Sequence, residues 1–205
     1  MTIKEFGGNI ASVWEGLRPI TKKMLERALQ ASKTASNVAP SKSAYDAHAD
    51  WEVSRLLTAI DEESKVTAVR KDPEKLNELN HLADICAKVL EAQSASAEVF
   101  IQLATRAIKE NNYDRLDRLA DRLVERYSAS EIAEIVRQTE LPQIRAIAYE
   151  TLAMMPVPTL LPLLDDHLYS GIAAAALEQK AYEFDSDDAR DVLEQFDSEN
   201  DRSAD

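Results

Sequence analysis

The sequence predicts an all-α protein built as an antiparallel helical array. Glycine is rare, at 4 of 205 residues, while Ala, Leu, Glu, Lys and Arg fill long segments in which apolar residues recur at helical spacing. No segment alternates apolar and polar residues with β-branched enrichment, so no strand is predicted. Short connections between the predicted helices place successive helices antiparallel.

The composition favours a protein of a reducing compartment. Cys86 is the single cysteine, so no internal disulfide can form, and no Cys/His cluster has zinc-site spacing. The first residues lack the basic-then-apolar pattern of a signal peptide, and no stretch of about 18 uncharged apolar residues could span a membrane. We therefore expect a cytoplasmic protein that needs neither a metal nor another cofactor.

The charge is acidic and unevenly distributed. The net charge is −13, yet residues 1–42 hold seven Lys/Arg against three acids, and residues 183–205 hold ten acids against two Arg. An acidic chain repels phosphate backbones, so nucleic acid is not expected as the main partner. The basic N-terminal segment leaves open either attachment to a membrane surface or packing onto the next helices. Its cations opposite the apolar stripe are Arg18, Lys22, Lys23, Arg27 and Lys33.

Four segments follow from the helix signals. Residues 1–43 form a basic helical arm, broken at Pro19, and a small polar linker; residues 44–93 form a helical hairpin; residues 94–196 hold shorter helices; and residues 197–205 form an acidic tail predicted to be disordered. The arm has one apolar stripe: Ile10, Val13, Leu17, Ile20, Met24, Ala28 and Ala31.

Capping residues predict the helix boundaries. Ser43 and Asp46 can start the first hairpin helix, and Asp72 with Pro73 starts the second. Ser128 and Glu131 have the spacing of a capping box. The inward stripe of the first hairpin helix is Ala49, Val53, Leu56 and Ile60. The later helices are predicted at 97–110, 112–126, 129–138, 143–154, 159–166, 168–183 and 187–196.

A faint repeat relates the helices after residue 94. A shift of 28 residues aligns Ile132 with Leu160 and Ala148 with Ala176, and a shift of 33 aligns Val99 with Ile132. Two-helix units of about 30 residues are typical of an α-solenoid.

The segment Ile144-Arg-Ala-Ile-Ala-Tyr-Glu-Thr-Leu152 resembles the inner helix of a HEAT repeat, and Ile172-Ala-Ala-Ala-Ala-Leu177 resembles a degenerate copy. The resemblance covers residues 97–196, although no Asp precedes Ile144 and Ala173 stands where the motif has arginine. It implies a HEAT-like α-solenoid, with a generic helical bundle as the alternative. HEAT-like proteins usually bind other proteins, and a few small ones are DNA-repair glycosylases, so the resemblance leaves the function open.

No motif predicts catalysis. Glu78 and His81 make half of a di-iron motif whose second half is missing. Cys86 lies on an apolar helix face, where a thiol packs as a small hydrophobe. Asp165, Asp166 and His167 are interpreted as a helix boundary rather than as a metal site. We therefore expect a protein that is not an enzyme.

Two surfaces are candidate partner-binding sites. Trp51 lies opposite the buried stripe of its helix, with His48 and Arg55 as neighbours, so the three can form an aromatic and basic patch unless another part of the chain covers it. A second candidate is an arginine ridge flanked by a stripe of carboxylates that can neutralise it. The ridge consists of Arg115, Arg118, Arg122 and Arg126.

The sequence therefore favours a non-enzymatic adaptor or scaffold that presents a helical-repeat surface to another protein. The alternative is a HEAT-like nucleic-acid-binding protein or DNA-repair enzyme that would use the arginine ridge.

Overall fold

The computed structural model describes residues 6–34 and 45–203. Every regular element within these ranges is a helix, which confirms the all-α prediction. The chain divides into two compact units, Met1–Ser94 and Ala95–Asp205.

The first unit is built around two long antiparallel helices. Its helices are α1 (Gly8–Gly16), α2 (Pro19–Thr34), α3 (Ala47–Glu63), α4 (Thr67–Arg70) and α5 (Pro73–Gln93). The predicted hairpin corresponds to α3 and α5, which pack against each other, whereas the short helix α4 between them was not predicted. The predicted apolar stripe of α3 is buried, with Ala49, Val53, Leu56 and Ile60 at most 1% exposed.

The N-terminal helices belong to this same unit. Helix α1 packs against α3, and α2 packs against both α3 and α5. Of the two alternatives that the sequence left open for the basic N-terminal segment, α1 and α2 show packing onto the next helices. One member of the predicted arm stripe was wrong, because Ile20 is 47% exposed and Leu25 is fully buried in α2. The greater part of the predicted linker, from residue 35 onwards, lies outside the described residues.

The second unit contains seven helices within its described range. They are α6 (Ala97–Lys109), α7 (Tyr113–Arg126), α8 (Ala129–Gln138), α9 (Pro142–Met154), α10 (Val157–Leu164), α11 (Ser170–Glu183) and α12 (Asp187–Ser203). Most bounds lie within two residues of the prediction, but α12 continues through residues 197–203, where disorder was expected. Ala204 and Asp205 lie outside the described residues.

Six of these helices form two layers of three. In one layer α6 packs against α8 and α8 against α10; in the other α7 packs against α9 and α9 against α11. Consecutive helices join the layers in the pairs α6 with α7, α8 with α9, and α10 with α11, and α12 packs against α11. Each pair therefore has equivalent neighbours, as expected for a stack of two-helix units.

Positions aligned by the sequence repeat have similar burial. Ile132 in α8 and Leu160 in α10 are both fully buried, and so are Ala148 in α9 and Ala176 in α11. Val99 in α6 is 2% exposed. These aligned positions therefore belong to the core of this unit, although Ile172 is only half-buried where its aligned residue Ile144 is buried.

The helix starts predicted at Asp46, Asp72 and Ser128 have the expected local chemistry, with one difference at Glu131. Asp46, Asp72, Asn112 and Ser128 each accept a hydrogen bond from a backbone N–H in the first turn of their helices. The carboxylate of Glu131 accepts the backbone N–H of Ala97 at 2.8 Å. Glu131 therefore satisfies the start of α6, at a residue 34 positions earlier in the sequence. A capping box at the start of its own helix had been predicted instead.

Within the described residues, no single helix combines the length and apolar composition needed to cross a membrane. The pair Pro142–Met154 and Val157–Leu164 meets that test only jointly and is bent by 116°.

Candidate interaction site

Helix α3 is packed on one side and open on the other. Its contacts with α1, α2 and α5 bury the apolar stripe described above. Trp51 lies on the opposite face and is 55% exposed. The predicted orientation of Trp51 away from the core is therefore confirmed by its exposure.

Two neighbours on α3 hold the Trp51 ring. The imidazole of His48 approaches it edge-on, with ring centroids 5.6 Å apart and an interplanar angle of 63°. Cζ of Arg55 lies over the same ring, 5.2 Å from its centroid, within the range of a cation–π interaction. His48 and Arg55 are themselves exposed. The predicted aromatic and basic patch is thus formed as one cluster, which we call the Trp51 patch.

A buried carboxylate lies at the base of the patch. Glu52 follows Trp51 in sequence but is only 1% exposed. Its Oε1 accepts the backbone N–H of Arg18 at 2.6 Å, and its Oε2 accepts the Arg18 Nε–H at 3.0 Å and the Thr21 hydroxyl at 2.5 Å. His48 Nε2 lies 3.9 Å from Oε1 of the same carboxylate. Glu52 therefore joins the α1–α2 connection to α3.

These hydrogen bonds keep Glu52 ionised despite its burial. Burial alone would raise the pKa of the Glu52 carboxyl, but the bonds from Thr21 and from the backbone and side chain of Arg18 outweigh it and hold the pKa below its usual value. Buried carboxylates are tolerated when their oxygens are satisfied in this way.

The other end of Arg18 secures the first turn of α3. Its Nη1–H and Nη2–H donate to the two oxygens of Asp46 at 3.0 and 2.7 Å. Asp46 also accepts the backbone N–H of Ala49 at 2.8 Å as the N-cap. The Arg18 pair and this cap hold the pKa of Asp46 well below its usual range, and Asp46 and Glu52 together raise the pKa of Arg18.

A second carboxyl next to Trp51 turns away from the patch. Oδ1 of Asp50 accepts the Tyr45 hydroxyl at 2.5 Å, and the Ser94 side chain also hydrogen-bonds to it. Its partial burial raises the pKa of the Asp50 carboxyl, and these two hydrogen bonds act in the opposite direction. Asp50 is therefore engaged with groups other than the basic side chains of the patch.

The predicted arginine ridge does not form one open row on α7. Arg115 is only 7% exposed and Arg122 is half-buried, whereas Arg118 and Arg126 are exposed. The reason is that α7 packs against both α6 and α9, which buries a wider arc than the single stripe assumed from the sequence. The exposed surface of α7 also carries four carboxylates, Asp114, Asp117, Asp121 and Glu125.

The remaining polar candidates have structural surroundings. His81 is exposed, with Nε2 3.3 Å from the hydroxyl of Ser32 on α2. Cys86 is fully buried. Asp166 accepts the backbone N–H of Leu168 at 2.9 Å, which agrees with a helix boundary. Among the described residues, no group of three or more His, Cys, Asp or Glu is arranged to hold a metal ion.

The sequence reasoning missed the network beneath the patch. A signal was present, since Glu52 lies three residues after Ala49 and four before Leu56, which is on the apolar stripe of α3. A charged residue on a buried stripe requires a partner of opposite charge. Arg18 was assigned instead to the cationic face of the N-terminal arm.

Comparisons with protein-family models, with curated proteins and with solved structures give no match to this chain. The inference of function therefore depends on the geometry of the chain itself.

Proposed function

We propose that the chain is a non-enzymatic adaptor that binds another protein through the Trp51 patch, with the stacked helices of residues 97–183 as its scaffold. The observation that carries the proposal is the 55% exposure of a tryptophan ring held in place by two side chains of its own helix. Tryptophan and arginine are the residues most enriched at binding hot spots. A ring already in contact with two neighbours has less side-chain freedom to lose on binding than a ring without contacts.

The two-layer packing of α6–α11 supports a HEAT-like scaffold, because each helix pair has equivalent neighbours and aligned positions share their burial. The surface of α7 favours a protein partner over nucleic acid. Its exposed Arg118 and Arg126 lie among four exposed carboxylates, and Arg115 is buried. A phosphate backbone requires several accessible cations of one sign.

Affinity capture with the full chain tests this proposal. Wild type and Trp51→Ala would be immobilised at equal density, and captured proteins identified by mass spectrometry. A suitable control is Tyr182→Ala, since Tyr182 is another aromatic residue, 85% exposed, on α11 of the second unit. We expect one or more proteins to be captured by wild type and by the control but lost with Trp51→Ala. Equal capture by all three folded proteins would contradict a docking role for the patch.

A further inference from the structure

We infer that the Trp51 patch recognises a short acidic protein segment in which an Asp or Glu lies beside a large apolar side chain. This inference rests on the proposed function, because it names the chemistry of the partner bound at the same patch.

Arg55 is placed to bind a carboxylate while it keeps its cation–π contact with Trp51. Its guanidinium lies over the face of the Trp51 ring, with Cζ 5.2 Å from the centroid. The guanidinium carries five N–H donors in its plane, and those directed away from the Trp51 ring stay accessible while Cζ is over the ring. These donors match the two oxygens of a carboxylate, so an acidic side chain can bind at the edge of the stacked pair.

The carboxylates close to the patch are engaged elsewhere. Asp46 and Glu52 are paired with Arg18, and Asp50 accepts hydrogen bonds from Tyr45 and Ser94. Among the described side chains, the partner of the Arg55 guanidinium is the Trp51 ring. The positive charge of Arg55 therefore remains available to an incoming carboxylate.

The apolar part of the segment would pack on the exposed portion of the Trp51 ring, bounded by His48. His48 and Arg55 are seven residues apart on α3, which is about 10 Å along the helix axis at about 1.5 Å per residue. An extended peptide covers that distance in about three residues. The acid and its apolar neighbour must therefore be close together in the partner sequence.

Nucleic acid also combines negative charge with a group that stacks, but the charge around the patch disfavours it. A phosphate chain would pass several anions over this surface, where one arginine is stacked and Arg18 is already paired with two carboxylates. Single strands bind in grooves with many cations. The experiment below includes this outcome.

Selection from a displayed random peptide library on the immobilised full chain tests the inference. We expect Trp51-dependent peptides to carry Asp or Glu within two residues of Leu, Phe or Trp. For a selected synthetic peptide, Arg55→Gln should weaken binding about tenfold, and replacement of its acid by the matching amide should do the same. Arg55→Gln combined with the amide peptide should bind little more weakly than with either change alone, since each change removes the same contact. Arg70→Gln, an exposed arginine on α4, is the control and should leave affinity unchanged.

The outcomes separate this inference from the proposed function. Peptides that require Trp51 but tolerate both Arg55→Gln and the acid-to-amide change would overturn the acidic partner and leave the docking role intact. Peptides indifferent to Trp51→Ala, or a selection without any Trp51-dependent peptide, would overturn both. Displacement of the peptide by single-stranded oligothymidine at near-physiological salt would assign the patch to nucleic acid instead.

Discussion

The backbone N–H of Arg18 donates to the buried carboxylate of Glu52 at 2.6 Å, and the guanidinium of the same arginine donates to that carboxylate at 3.0 Å. The Glu52 side chain thus accepts hydrogen bonds from both the backbone and the side chain of a residue 34 positions earlier. This places the α1–α2 connection against the first turns of α3, next to the carboxylate that His48 of the Trp51 patch also approaches. The stability of the N-terminal unit and the support of the Trp51 patch therefore depend on the same carboxylate.

Loss of the Glu52 carboxylate should destabilise the protein strongly. Glu52→Ala leaves the buried Thr21 hydroxyl and the Arg18 N–H without their acceptor, so we expect the free energy of unfolding to fall by about 3 kcal/mol. Urea denaturation followed by circular dichroism would measure this. Glu78→Ala, at an exposed position on α5, should change it by less than about 0.5 kcal/mol. A Glu52→Ala effect no larger than that control would show that the network adds nothing to stability.

The lowered pKa of a second carboxyl, that of Glu134, predicts how the free energy of unfolding depends on pH. Arg137 donates hydrogen bonds to the Glu134 carboxylate at 2.5 and 2.6 Å, and these lower the pKa of Glu134 to about 2. Partial burial opposes this shift, and hydrogen bonds from Gln138 and Tyr169 add to it. A carboxyl whose pKa is lowered on folding stabilises the protein above its unfolded pKa, and this contribution is lost as the pH falls towards the folded pKa.

The stability difference between wild type and Glu134→Gln should therefore be constant above about pH 5.5 and shrink between about pH 4.5 and about pH 2. Urea titrations across this range would give the difference at each pH. A difference that stays constant down to pH 2 would mean that the pKa of Glu134 is the same in the folded and unfolded states. Glu140→Gln, an exposed carboxylate in the same unit, serves as the control.

Helix positions were predictable because their causes are local. Asp46, Asp72 and Ser128 cap the helices that they were expected to start, and apolar spacing identified the buried stripe of α3. Trp51, His48 and Arg55 were also predictable as one cluster, because residues three or four apart on a helix are neighbours.

Contacts between distant segments were not predictable in this way. Glu131 has the spacing of a local capping box, yet its carboxylate accepts the N–H of Ala97. Arg115 lies on the same arc of α7 as Arg118, Arg122 and Arg126, yet it is buried because α7 packs against both α6 and α9. The pairing of Arg18 with Glu52 likewise depends on how the α1–α2 connection meets α3. Helical periodicity identifies the face that a residue occupies but not the element that covers it.

The two-layer packing can be tested with alanines of α9. Ala148 is fully buried, whereas Ala146, two residues earlier, is exposed. Ala148→Leu forces extra volume into a packed core and should cost about 2 kcal/mol of stability, whereas Ala146→Leu should change it by less than about 0.5 kcal/mol. Thermal or urea unfolding would compare the two. Equal effects would contradict the assigned buried face of α9.

The exposure of Trp51 predicts a distinct fluorescence signal. The protein has two tryptophans, of which Trp14 is 9% exposed and Trp51 is 55% exposed. With Trp14→Phe, the remaining emission should be red-shifted and strongly quenched by acrylamide, because water and quencher reach the Trp51 ring. With Trp51→Phe, the emission of Trp14 should be blue-shifted and protected.

The same ring should contribute little to folding. Trp51→Ala removes a surface side chain without leaving a core cavity, so the free energy of unfolding should change by less than about 0.5 kcal/mol, whereas Trp14→Ala should cost about 3 kcal/mol or more. Urea unfolding of the two variants measures this contrast. If Trp51 emission were blue-shifted and protected, or if Trp51→Ala were as destabilising as Trp14→Ala, the ring would be covered within the molecule. The Trp51 patch would then be a packing contact and could not receive a partner.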